Sequence, residues 1–79
     1  MINLKKPKTL TTLNIGQSAK IKEIRENCSI KRRLLDIGFT PGALVECVLK
    51  SPASDPIAYK IRGSIIALRN EDSDAVIIN

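Results

Sequence analysis

Residues 27–38, Asn-Cys-Ser-Ile-Lys-Arg-Arg-Leu-Leu-Asp-Ile-Gly, are the one stretch that sustains a helical period, and they limit what the chain can become. Ile30, Leu34 and Ile37 fall at i, i+4 and i+7, and Leu35 widens the stripe. That spacing predicts an amphipathic helix of about two and a half turns over 28–37. Asn27 or Ser29 is expected to accept a hydrogen bond from the free amides of the first turn, and Gly38 to supply the left-handed residue just past the end. Lys31, Arg32 and Asp36 fall on the opposite face, where Arg32 and Asp36 are one turn apart and expected to pair weakly.

Everything else is short and bounded by turns. Leu10 and Leu13 predict one inward-facing helical turn before the bend at Gly16. Residues 18–24 alternate Ala19 and Ile21 with Lys20 and Lys22, a half-buried strand; Ile24 breaks the alternation, so a bulge or strand end belongs near Glu23. In 39–42, Pro41 fixes φ at the first corner of a turn and Gly42 accepts positive φ at the second. An aliphatic strand over 43–51 follows, then a loop of turn formers over 51–56. Residues 57–69 read as a hairpin that reverses at Arg62-Gly63, with Ile57, Tyr59 and Ile61 on one face. A polar turn at 70–75, which Asn70 is placed to cap, leads to a last short strand at 76–79.

A chain of 79 residues buries only roughly 60% of its unfolded surface, which excludes a deep enzyme cleft alongside a core. Five short strands in so small a chain do not build two full sheets. They can curl into a small barrel that removes exposed edges, with the helix plugging an open end. The expected fold class is therefore mostly β, a small SH3-like barrel of about five strands with one inserted short helix; an OB-like barrel is the competing arrangement. The expected domain is 9–79, preceded by a basic tail, 1–8, carrying Lys5, Lys6 and Lys8.

The chemistry-bearing residues argue against an enzyme. The chain has no histidine, and its two cysteines, Cys28 and Cys47, are not in a C-x-x-C arrangement, so a structural zinc site lacks ligands and a nucleophile lacks its usual base. Both are expected as reduced, packed thiols. No Gly-rich phosphate loop is present. Neither a signal peptide nor a spanning segment is expected, and the expected compartment is the cytoplasm. The formal charge of +5 leaves nucleic acid, a membrane surface with acidic lipids or an acidic protein as partners. Phe39 and Tyr59, the large aromatics, lie in separate elements, a poor platform for stacking bases, so no nucleic acid is expected, and a small basic barrel that binds nucleic acid stands as the alternative function beside a divalent-metal-sensing module.

The run from Arg33 to Gly42, then Ser51-Pro52, Asp55-Pro56-Ile57, Arg62-Gly63, Ala67-Leu68-Arg69 and Ala75-Val76, resembles the FeoA family of small bacterial ferrous iron transport proteins. Leu10, Leu13 and Gly16 resemble that family's opening, and the likeness runs from Thr9 to Ile78. The same module resembles the C-terminal SH3-like domain of iron-dependent repressors, without a DNA-reading helix pair before it. The resemblance implies a non-enzymatic accessory protein of ferrous iron uptake, held at the inner membrane by docking on FeoB, a membrane transporter with a cytoplasmic GTP-binding domain. It implies no cofactor, and is compatible with weak binding of Fe2+ or another divalent metal and with a weak homo-oligomer. The chain departs from the usual pattern in its basic "KKPK" and at Ala53-Ser54 in the 51–56 loop.

These readings divide the notable residues. Leu34, Leu35 and Ile37 are expected to fill the barrel end, Gly38 to stop the helix, Pro41 and Gly42 to aim the next strand, and Gly63 and Leu68 to serve turn and core. Packing does not require Arg32, Arg33 and Asp36; they are a solvated face or a docking surface, where arginine anchors concentrate binding energy. Asp55, Pro56, Arg62 and Arg69 are further docking candidates, each equally a loop or strand-end residue.

Overall fold

The computed structural model describes residues 8–79; Lys5 and Lys6 of the expected tail lie outside them. Leu10–Thr12 form a 3-10 turn. The elements that follow are β1 (Ser18–Ile24), α1 (Lys31–Ile37), β2 (Leu44–Lys50), β3 (Ile57–Ile61), β4 (Ser64–Leu68), α2 (Asn70–Ser73) and β5 (Val76–Ile78). The five strands make one antiparallel sheet in the order β4-β3-β2-β1-β5.

The bend at Glu23 is what curls this sheet. Ser18, Ala19 and Lys20 pair with β2, whereas Ile21, Glu23 and Ile24 pair with β5, and the register shifts between Ile21 and Glu23. One strand thus belongs to both halves of the barrel, and the extra residue supplies the local twist. β2 is bulged as well, between Cys47 and Leu49. Thr40 to Ala43 close the predicted turn, with Ala43 N–H donating to the Thr40 carbonyl at 3.0 Å and Gly42 at φ 88°. The hairpin turns on Arg62 and Gly63 as expected, both at positive φ.

Three expectations need correcting. Strands β4 and β5 do not bond to each other, so the curl leaves a seam rather than abolishing both edges. The helix starts at Lys31, not 28, and neither Asn27 nor Ser29 caps it; Ile30 occupies the cap position with no side-chain bond. Packing decides this: residues 25–31 wind through two tight turns, closed by Cys28 N–H to the Arg25 carbonyl and Lys31 N–H to the Cys28 carbonyl, and Ile30 packs against the core. The polar turn at 70–75 contains a helical turn, α2, and Asn70 does not cap it. The cap comes from another element: the Asp55 carboxylate accepts the Asn70 N–H at 3.0 Å. Asp55→Ala is expected to cost about 1 kcal/mol, and Asp55→Asn less, as read by urea midpoints. Equal stability of all three proteins would show the cap to be idle.

The core is one cluster. Leu10, Ile21, Leu34, Phe39, Val45 and Tyr59 are each at most 1% exposed. Leu34 is the fully buried residue of α1, and Ile30, Leu35 and Ile37 pack partly against the same cluster, so the helix does stopper the barrel. Both aromatics lie inside. Burial pushes the Tyr59 phenol above its ordinary pKa of 10.0. Below that value the folded and unfolded chains both keep the proton. Above it the unfolded chain releases its proton first, so folding stability falls as pH rises. The urea midpoint is expected to drop as pH rises past about 10, and Tyr59→Phe to flatten that drop. An unchanged slope in the variant would assign the alkaline loss elsewhere.

Candidate docking surface

The helix divides its residues by face. With Leu34 inward, Arg32, Arg33 and Asp36 are exposed. Arg32 and Asp36 do not form the expected pair; among the described residues the ion pair is Lys31 with Glu26. The helix end is a Schellman turn, with Gly38 N–H on the Leu35 carbonyl at 3.1 Å and Phe39 N–H on the Leu34 carbonyl at 2.9 Å. Leu34 and Phe39, the two ends of that motif, are both fully buried.

Two of the docking candidates have structural duties. Asp55 caps α2, as above. Arg62 leaves the hairpin turn and lies over Gly38. Its Nε donates to the Gly38 carbonyl at 3.5 Å and its guanidinium to the Thr40 hydroxyl at 3.3 Å. The positive side chain thereby meets the carbonyl end of α1, which favours a cation. Pro56 is exposed in the loop beside Asp55.

The fold does bring Arg33 and Arg69 together. Both are exposed, and both line a groove of about 200 Å³ between α1 and β4, with Asp72 on the same rim. Ile30, Leu34 and Ile37 from the helix and Ile66 and Leu68 from the strand supply the apolar part of a mixed lining. Arg32 is not part of it, and Arg62 sits at the helix's other end.

Sequence reasoning missed the outer face of β2, β3 and β4. Leu44, Leu49 and Ile65 are 59, 62 and 68% exposed there. Cross-strand pairing sets Leu49 beside Ala58 and Ala58 beside Ala67, and Glu46 and Ile65 on either side of Lys60. An open hollow of about 460 Å³ lies at one end, bounded by Leu44, Glu46, Lys60 and Arg62. A signal existed: Leu44-Val45, Val48-Leu49 and Ile65-Ile66 are adjacent apolar pairs inside strands. Side chains alternate across a strand, so each pair must send one residue outward.

What this surface offers is contour and charge. Among the described residues no three of His, Cys, Asp and Glu gather into a metal-ligand set. Cys47 is buried, and burial foremost pushes its thiol pKa up, away from the reactive thiolate. With Phe39 and Tyr59 fully buried, neither aromatic is available to stack a base. Among the described residues no helix is long and apolar enough to cross a membrane.

A protein-family model described as the FeoA domain matches residues 8–79. Over 64 residues, 81% of its length, the chain is 31% identical to the Fe(2+) transport protein A/Fe(2+) transporter FeoB fusion protein of Porphyromonas gingivalis; it spans 8% of that protein's length. The Stenotrophomonas maltophilia FeoA, solved with zinc and described as a prokaryotic SH3 domain protein, superposes with a TM-score of 0.81. It is 29% identical, the match covering 91% of this chain and 89% of that one. The IdeR of T. acidophilum has a TM-score of 0.78 at 19% identity, covering 100% of this chain and 36% of that one, a likeness of fold alone.

Proposed function

This chain belongs to the FeoA domain family, and from that premise we propose that it is a non-enzymatic accessory protein of ferrous iron uptake, acting by docking on a FeoB-type membrane transporter at its cytoplasmic side and modulating it. The observation that carries this reading is the fusion relative, in which a domain like this one shares a polypeptide with the transporter. A tethered domain meets its partner at an effective concentration of roughly millimolar, whatever the affinity. Where the two are separate polypeptides, the affinity has to reside in the domain's surface. The S. maltophilia protein's description as a candidate ferrous iron transport activating factor points the same way.

In this reading residues 9–79 are the docking module, and Arg32, Arg33 and Arg69 are its charged contacts. Modulation then works through contour, since docking can bias a transporter's conformations only by differential contact with them. Titrating the chain into the detergent-solubilised transporter in a calorimeter tests it. Saturable binding is expected, and Arg32→Glu with Arg33→Glu is expected to weaken it by about tenfold while leaving the thermal midpoint in place. An unchanged affinity removes the helix face from the contact, and no heat with the unaltered chain removes the reading.

A metal-sensing role has one observation in its favour, the zinc in the S. maltophilia structure. With no gathered ligand set among the described residues, that reading is of weak divalent association. Anaerobic equilibrium dialysis against Fe2+ distinguishes it from a stoichiometric sensor.

A further inference from the structure

The two edges of the sheet are treated differently. The β5 edge is covered: Ile78 N–H donates to the Lys8 carbonyl at 2.9 Å, and Thr9 bridges Ile77. The β4 edge is bare. The two-residue turn at Arg62-Gly63, with φ of 50° and 81°, makes Ile61–Ser64 the hydrogen-bonded closing pair. Bonded and non-bonded pairs alternate from there. Tyr59–Ile66 and Ile57–Leu68 therefore exchange hydrogen bonds, while Ile65 and Ala67 turn their N–H and C=O groups away from β3. Among the described residues neither finds a backbone partner beyond the ladder. Natural edges carry lysine, proline, a bulge or a covering segment. Ser64-Ile65-Ile66-Ala67-Leu68 has no charge and no proline, pairs with β3 in continuous register, and leaves Ile65 68% exposed.

The α1–β4 groove runs beside that edge, its walls part apolar at Ile30, Ile37 and Ile66 and its rim carrying two arginines against one aspartate. We propose that the free edge of β4 is a docking strand for an extended segment of a partner protein that alternates apolar and acidic residues. The segment adds to the sheet at Ile65 and Ala67, sets an apolar side chain in the groove, and brings a carboxylate to Arg33 or Arg69. Main-chain bonds supply affinity and the groove supplies choice, as in other strand-addition complexes. The acidic character follows from charge: the groove rim is net positive, and the chain as a whole carries +5. A second copy is the poorer occupant. Antiparallel β4-to-β4 pairing centred on Ile66 sets Arg69 of each copy opposite Gly63, next to Arg62 of the other, between two chains of the same sign.

This proposal deepens the docking reading above and rests on it for the identity of the partner, so its test has two arms. In the first, the capped peptide Val-Glu-Val-Asp-Val is titrated into the full chain by amide NMR, with Val-Lys-Val-Lys-Val as control. Ile65 and Ala67 amides are expected to shift and gain exchange protection with the acidic peptide only. Ala67→Pro removes an outward N–H and no ladder bond, and is expected to weaken binding about tenfold. Arg69→Glu, a surface change that leaves the strand intact, is expected to abolish the preference for the acidic peptide. Shifts elsewhere, or none, overturn the proposal. In the second arm the solubilised transporter replaces the peptide. Loss of binding with Ala67→Pro supports the edge as its dock, and equal binding overturns it while the docking reading stands. If the transporter binds neither protein, that reading falls and the peptide arm alone decides the edge. A dimer in sedimentation equilibrium that Ala67→Pro dissolves would give the edge to a second copy and overturn the proposal.

Discussion

Phe39→Ala is expected to cost about 3–5 kcal/mol and lower the thermal midpoint by roughly 15–30 °C. The reason is position as much as size. Phe39 is fully buried in the single core cluster, and its N–H also closes the helix on the Leu34 carbonyl at 2.9 Å. The ring is thus the hydrophobic half of the motif that ends α1, and it joins the helix to the barrel. Alanine keeps the backbone bond but leaves a cavity beneath a helix of only seven residues, too short to persist without tertiary support. A chain of 79 residues has roughly 4–12 kcal/mol of total stability to lose. Urea unfolding followed by far-UV circular dichroism measures the cost. A loss under about 1 kcal/mol would mean that the helix does not depend on this anchor.

The elements that could be read from sequence are those whose signal is local. The period of Ile30, Leu34 and Ile37, the positive-φ demand met by Gly38 and Gly42, and the reversal at Arg62-Gly63 all depend on near neighbours, and each stands in the fold. The bulge near Glu23 was legible because Ile24 breaks an alternation of period two. The helix start was not. Asn27 and Ser29 are good caps in isolation, but the chain needs tight turns there to cross from β1, and Ile30 is drawn into the core instead. Asp55 and Arg62 show the same limit from the other side. Their duties, capping α2 and covering Gly38, join residues 15 and 24 positions apart. A charged residue in a loop or turn gives no local sign of such a partner. The convergence of Arg33 and Arg69 on one groove is equally non-local. The bare edge of β4 depends on strand order, which no period encodes.

Gly38→Ala is the second large effect, about 2–3 kcal/mol, and it separates two causes that coincide at one atom. Gly38 stands at φ 127°, in the region that side chains avoid. An alanine Cβ there would also lie 2.7 Å from Arg62 Cδ and 2.9 Å from Nε. The second cost can relax, because the obstacle is a flexible side chain at the surface. The first cannot, because the Schellman turn fixes the backbone through the Leu34 and Leu35 carbonyls. A double-mutant cycle with Arg62→Ala measures the split. In the Arg62→Ala background the glycine change is expected still to cost about 1–2 kcal/mol, the backbone share, with the remainder appearing as coupling between the two sites. Full relief by Arg62→Ala would make steric contact the whole cause and remove the strain argument. Strict additivity would mean that Arg62 swings aside at no cost, leaving backbone strain as the whole penalty.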